Sequence, residues 1–418
     1  MTSRPLVLKF AVIALVLTTV TPILAQTSRG PRQEKLLNGL KLLMWQDANA
    51  DRVSVKIRIH SGTSFDPQGK EGVMALLADS FYANETSADF FKEDLGGGLS
   101  VTANYDYIQV TGWAKPDEFL TLLESLSAAV SNPTLDKETT PKLVARRLEK
   151  LKELEADPVY VADRAASKQL FGTFPYGRPE LGTPESVTGL TFADVIDVKQ
   201  RFLSSDNATV SISGKIDPAL AYRAARRYLG SWLKSDRLVP STFQQPETPD
   251  TKLVKVSTET ETVPHTRFAL RGVARNEKDY PAAKVLENIL EARVKQNLSD
   301  ASLVYVLNEA HILPGSFVIG ATSADEIPGN LISLLLSKAI TGAEFDSARA
   351  KAIADRQKQA ADELWLDADT YKLKSAADEQ KSFVSVTLAD VQRVAERLAK
   401  NPVVAVTVTK AEKAPTAN

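Results

Sequence analysis

The chain carries three histidines, His60, His265 and His311, and no cysteine. Without a thiol there is no disulfide framework, Cys-ligated zinc, iron–sulfur cluster, thiol nucleophile or c-type haem. A zinc site would have to come from the three scattered imidazoles and carboxylates, whereas catalytic zinc usually takes two or three His, or His with Cys. The spacing does not help. His60 sits where a strand enters its loop and reads as a strand-end surface or packing residue; His265 follows Pro264, and His311 precedes the Pro314-Gly315 turn. Lys+Arg is 51 against 52 Asp+Glu, for a net charge of −1. No basic stripe marks a nucleic-acid footprint.

The elements that would position any such chemistry come in two sets. In the first, residues 53–59 alternate as a strand, followed by a polar loop and a helix over 71–81. A strand at 107–113 leads into an apolar helix at 116–130 and a long charged helix at 137–155. The set closes with Thr191-Phe192-Ala193-Asp194-Val195, a helix to Phe202, and a strand at 208–213. The second set repeats this order. It has a strand at 266–272, a helix at 280–290, a strand at 316–321, an apolar helix at 329–340 and a charged helix at 344–363. It closes with Thr387-Leu388-Ala389-Asp390-Val391, a helix to Leu398, and a strand at 403–409. Thr191 and Thr387 stand as N-caps. Each half therefore reads β-α-β-α-α-α-β. This predicts an α+β fold of two homologous α/β sandwich domains in tandem, each with helices on one face of a largely antiparallel sheet.

The boundaries follow from composition. Arg4 and Lys9 precede an uncharged, mostly apolar run at 10–25 that ends in Ala25, so residues 1–25 read as a secretory signal peptide. The run is shorter than the roughly 20 residues a membrane span prefers. The expected location is periplasmic or secreted, with no stable span after signal removal. Pro240, Pro246 and Pro249 mark a linker over 239–250, since dense proline continues neither helix nor central strand. The domains are then 26–238 and 251–412, with a tail at 413–418.

With this plan in view the chain resembles the insulinase/pitrilysin (inverzincin) metallopeptidases. The resemblance covers nearly the whole mature chain. It rests on Gly62, Asp66-Pro67, Gly69-Lys70, Gly72-Val73 and Leu76-Leu77, then on Phe171-Gly172, Pro175-Tyr176-Gly177-Arg178 and Leu181-Gly182-Thr183. It continues through Gly214-Lys215, Tyr280, Leu286 to Leu290, Arg293, Tyr305 and Pro314-Gly315-Ser316-Phe317. It implies two LuxS/processing-peptidase-like domains forming half of a clamshell.

The family's catalysis rests on H-x-x-E-H in the first helix. Positions i and i+4 share one helical face, so two imidazoles can hold one zinc beside a Glu general base. In register here, Ala75 takes the first His position, Ala78 the Glu and Asp79 the second His. The distal ligand position falls at Lys150 or, one residue earlier, Glu149. The family's Arg/Tyr pair, which stabilises the tetrahedral intermediate, keeps only Tyr305. Leu298 or Ser299 stands for the Arg and Ser302 for a Gly, and Arg293 matches a different Arg. The peptide-binding edge strand follows Gly96-Gly97-Gly98 over 99–104, with Ser100-Val101 where the family often has Asn-Ala. Augmentation uses main-chain groups, so that edge can still receive extended peptide.

The resemblance implies a chain that is not an enzyme on its own and holds no cofactor. It would pair with an active zinc-bearing homologue, encoded by a neighbouring gene, around extended peptides. The alternative is a scaffold or peptide-binding protein of the same fold without peptidase activity.

Overall fold

The computed structural model describes residues 30–84, 86–235, 243–258, 263–298, 300–324 and 327–410. The expected signal peptide, residues 239–242 of the expected linker, Ser299 and the expected tail lie outside the described residues.

The first sheet has six strands: β1 (Arg32–Lys35), β2 (Lys41–Gln46), β3 (Val53–Ile59), β4 (Gly98–Ala103), β5 (Ile108–Ala114) and β6 (Ala208–Gly214). Their order is β1-β2-β6-β3-β5-β4. The second sheet has β7 (Val254–Thr258), β8 (His265–Arg271), β9 (Leu303–Glu309), β10 (Ser316–Thr322) and β11 (Val404–Lys410), in the order β7-β11-β8-β10-β9. Pairing is antiparallel throughout except β2 with β6 and β7 with β11. The two orders superpose strand for strand once β1 is set aside, as a duplication requires. Both sheets belong to one compact unit that begins at Pro31.

Among the first sheet's helices are α1 (Val73–Asp79), α2 (Ser87–Asp89), α3 (Phe119–Ser131), α4 (Thr139–Glu155), α5 (Pro158–Phe171), α6 (Pro184–Thr188), α7 (Phe192–Phe202) and α8 (Pro218–Leu229). The second half supplies α9 (Tyr280–Asn297), α10 (Leu331–Ser337), α11 (Gly342–Lys358), α12 (Ala361–Thr370), α13 (Ala376–Val384) and α14 (Leu388–Leu398). Thr191 and Thr387 cap α7 and α14 in full capping boxes with Asp194 and Asp390, each satisfying two otherwise unpaired backbone donors.

Three expectations need correction. The charged stretch 344–363 is not one helix. It breaks at Gln359 and Ala360, both extended, into α11 and α12. Helix α5 and strands β1, β2, β7 and β9 were not expected; β1, β7 and β9 are edge strands, partly exposed and with weak apolar patterning. Most important, helices do not cover only one face of each sheet.

Each half lends a helix to the other. On β3, Val53, Val55, Ile57 and Ile59 enter the core beneath the first half's own helices. The alternate residues Lys56 and Arg58 face α12 instead. Lys56 Nζ reaches Asp362 at 2.9 Å and Glu363 at 2.7 Å, and Arg58 Nη1 donates to Asp367 at 2.8 Å. Arg58 Nη2 also donates to Glu363, its Nε to Gln109 at 2.7 Å, and its guanidinium lies 4.0 Å over the Tyr107 ring. In return α5 covers the outer face of the second sheet. Its Ala166 and Leu170 join Ala269, Val318, Val404 and Val406 in a separate apolar cluster. Asp163 on α5 accepts from Arg267 Nε of β8 at 2.5 Å. Arg58 and Arg267 are both 0% exposed. A buried guanidinium is tolerated only when its charge and donors are met.

Removing one partner should therefore cost more than removing both. Asp367→Ala is expected to lose about 3–5 kcal/mol in chemical denaturation, because the Arg58 charge stays buried with less compensation. The double variant Arg58→Met/Asp367→Leu should recover more than half of that loss. If the double variant is less stable than Asp367→Ala, the charge on Arg58 is not what α12 answers.

Candidate functional site

Helix α1 starts at Gly72, which is left-handed (φ 93°), a conformation glycine adopts without steric cost. A Cβ there would also lie 2.7 Å from the Leu181 carbonyl oxygen. The helix start is held by Asp66 of the preceding loop. Its Oδ2 accepts the Gly72 N–H at 2.6 Å and its Oδ1 the Met74 N–H at 2.9 Å. Burial pushes the Asp66 carboxyl up to about 7, against the opposing pull of these two amides and of Arg178.

The positions expected to have lost their chemistry lie along this helix. Ala75 is fully buried and Ala78 nearly so, so each offers only a methyl group. Asp79 is half-buried and accepts from Arg147 Nη2. The same nitrogen donates to the Ala75 carbonyl oxygen at 3.0 Å. One guanidinium from α4 thus spans Ala75 and Asp79, the two places where the sequence resemblance would put imidazoles. Burial pushes the Asp79 carboxyl up, while Arg147 draws it down.

The residue of α4 that meets α1 is Arg147, not Glu149 or Lys150. The buried positions of α4 include Leu143, Arg147 and Leu151, four apart and so on one face. Glu149 and Lys150 are turned outward and exposed; Lys150 adds only positive charge in the neighbourhood of Asp79. A zinc ion does not fit this donor set. Two methyls offer nothing, and the single carboxylate is already neutralised by a buried cation. Among the described residues no three His, Asp or Glu side chains converge as metal ligands.

The remaining predicted residues lie apart from this point. Ser100 and Val101 are on β4, the outermost strand of the first sheet, opposite Thr111 and Val110. Ser100 is exposed and Val101 half-buried. Tyr305, on β9, donates to Asp163 at 2.5 Å, and the Arg267 guanidinium lies 5.1 Å over its ring. Burial pushes the Tyr305 phenol well up. An Arg and a Tyr therefore do meet on the second sheet, but the Arg comes from β8, and both are taken up by α5. Leu298, one of the two residues expected to stand for the family's Arg, caps the end of α9.

The histidines are also accounted for. His60 is held by Thr370 Oγ1 at 3.1 Å and Thr209 Oγ1 at 2.9 Å. Burial, with the charges of Lys372, Arg58 and Lys41, pushes its ring down to about 3. His265 shares a hydrogen bond with Thr322 at 2.8 Å. His311 contacts Asp106 of the first half, with Nδ1 at 2.9 Å from Oδ2. Sequence reasoning missed Asp66, Asp106, Asp163 and Arg147. Arg147 alone left a legible sign, a charge at the centre of an apolar i, i+4, i+8 stripe.

Two outcomes follow. Arg147→Met should cost about 1–3 kcal/mol by leaving Asp79 without its charged partner, and Arg147→Met/Asp79→Leu should restore most of it; equal losses in both variants would show that the pair itself is not what matters. The second concerns Glu180, half-buried between the halves, where burial pushes its carboxyl up to about 7. A carboxyl raised in the folded state binds its proton more tightly there than in the unfolded chain. Its stabilisation is complete below the unfolded pKa and is lost as pH rises through about 7. Glu180→Gln should therefore shrink the fall in Tm between pH 5 and pH 8. An unchanged or steeper fall would contradict this environment.

Comparison with known proteins bears on this geometry. Residues 189–346 match the family model described as Peptidase M16 inactive domain. Comparison with curated protein sequences gives no match. Among solved structures, a protease from Helicobacter pylori aligns with a TM-score of 0.81 at 17% identity, over 91% of this chain and 100% of that one. A peptidase M16 inactive domain from Pseudomonas fluorescens aligns at 0.80 and 16% identity, over 92% and 98%. A chain of complex III2 from Candida albicans aligns at 0.75 and 17% identity, over 91% and 96%. Residues 189–346 thus match an M16 inactive-domain model, and the chain as a whole shares the fold of these M16-like structures across about nine-tenths of its length.

Proposed function

We propose that this chain is the non-catalytic subunit of a two-chain peptidase, pairing with a zinc-bearing homologue to enclose extended peptides. The observation that carries the reading is the Arg147 bridge between Ala75 and Asp79. The helix that would carry the zinc is intact, capped and buried, and its chemical positions are closed by a cation of the protein's own. Such a chain contributes shape and binding surface, not a nucleophile. Its binding surface is the outer edge of β4, whose backbone among the described residues is paired on one side only, with β5. An unpaired strand edge recruits an extended segment through main-chain hydrogen bonds. The partner supplies the zinc, and the export signal expected at residues 1–25 would place the two chains in one periplasmic or extracellular compartment.

A second reading is a scaffold that works without peptidase activity. Its support is the likeness to a chain of complex III2 from Candida albicans, an assembly.

Mixing distinguishes the two. The full chain is added to the H-x-x-E-H homologue encoded beside it, and cleavage of a fluorogenic peptide is followed. The peptidase-subunit reading expects co-elution as one complex and a cleavage rate raised at least tenfold over the homologue alone. Separate elution with an unchanged rate would reject it and favour the scaffold.

A further inference from the structure

The edge hairpins of the two sheets meet tip to tip. The turn between β4 and β5 comes from the first half, and the loop between β9 and β10 is its counterpart in the second. Asp106 in the first turn is 1% exposed. Its Oδ2 lies 2.9 Å from His311 Nδ1 and accepts from the Tyr371 hydroxyl at 3.2 Å, and its Oδ1 accepts the Ile312 N–H at 3.1 Å. The His311 ring is packed between Tyr105 and Tyr176, with centroids at 5.1 and 4.6 Å. The Tyr176 hydroxyl accepts the Leu313 N–H at 3.1 Å.

This contact bears on β4 because the tip has few other anchors across the halves. Tyr105, next to Asp106, is tied back to its own half. Its hydroxyl donates to the Arg178 carbonyl oxygen at 2.8 Å, and its N–H to Glu180 at 2.9 Å. Among the described residues of this turn, Asp106 makes the hydrogen bonds that reach across, through three donors on the second half, while Tyr105 adds a ring contact with His311. β4 is an edge strand paired on one side, so its outer groups stay aligned only as far as its ends are held.

We propose that the Asp106–His311 contact is a latch: His311 is a positioning residue that fixes the β4–β5 hairpin so that the outer edge of β4 can receive extended peptide. The inference rests on the peptide-binding reading given above.

The latch is sensitive to protonation. Burial pushes the His311 ring down, but Asp106 first, then Glu309 and Glu180, outweigh it and hold the ring above its ordinary value. Arg275 gives its backbone N–H to the His311 carbonyl oxygen, while its guanidinium turns to Glu379 and Asp367. The remaining neighbours of the ring are Tyr105 and Tyr176. A histidine raised in the folded state keeps its charge to a higher pH than a free imidazole and loses it as pH rises through its folded pKa. The ion pair with Asp106 is then lost, and a neutral imidazole is left as a weaker donor to the carboxylate. The Glu180 carboxylate, once ionised, adds to the pull that holds His311 upward.

The test uses the full chain, with a fluorescein-labelled octapeptide of alternating Ser and Val as probe. Binding is measured by anisotropy between pH 6 and pH 9. Hydrogen–deuterium exchange of residues 98–107 is followed in parallel and corrected for intrinsic pH dependence. The expected result is a three- to tenfold weaker Kd at pH 9 than at pH 6 in the parent chain. His311→Asn, which keeps a donor but cannot titrate, should bind with a flat profile, and His311→Ala should bind poorly and exchange faster over 98–107. A parent profile that is flat, or one that His311→Asn reproduces, overturns the latch, as does unchanged exchange in His311→Ala. If no variant binds the probe but exchange over 98–107 still rises in His311→Ala, the latch on the hairpin stands and the peptide-binding reading is what fails.

Discussion

The structure depends on two buried arginines that each need a carboxylate from the opposite half. Arg58 and Arg267 occupy the outer faces of β3 and β8, strands equivalent under the internal duplication. Neither guanidinium is exposed. A charge at that depth is unstable without partners, and each sheet's own helices lie on its other face. The partners come from α12, with Glu363 and Asp367, and from α5, with Asp163. This requirement explains why the chain breaks after α4 and again after α11. Each break frees a short helix to cross to the other half.

The exchange also shapes the site. Because α5 and α12 fill the outer sheet faces, the residues that would make an Arg/Tyr pair, Arg267 and Tyr305, are held by Asp163 inside the molecule. The Arg147 bridge has the same logic on a smaller scale. Removing a zinc ion from a helix pair leaves two elements whose spacing a cation had maintained. Here a guanidinium from α4 supplies that cation and the polar contacts with it. In the proposed reading, loss of the metal is accompanied by a repair, and the repair closes the site.

Much of this was legible in the sequence. Core strands were readable because Val53, Val55, Ile57 and Ile59 alternate cleanly, and α7 and α14 because Thr191 and Thr387 sit three residues before Asp194 and Asp390 as capping boxes. The first helix was readable from Gly72-Val73 and Leu76-Leu77. What sequence could not carry was contact between distant segments. Nothing near Asp367 announces Arg58, and nothing near Asp106 announces His311. The end of α11 was hidden for a local reason. Pro158 starts α5 visibly, whereas Gln359-Ala360 contains no breaker and the chain turns there because α12 has a buried charge to meet. Which residue of α4 faces α1 was hidden for a related reason. Counting along α4 from sequence gives a position, but the inward face is set by Leu143 and Leu151, and that face carries Arg147.

In the proposed reading a guanidinium of the protein's own, Arg147, stands where a catalytic zinc would be held. Isothermal titration of zinc into the isolated, metal-free chain tests it most directly. No stoichiometric binding at micromolar concentrations is the predicted result. One zinc bound per chain with a Kd of about 1 μM or tighter, which corresponds to about −8 kcal/mol of binding free energy, would contradict it.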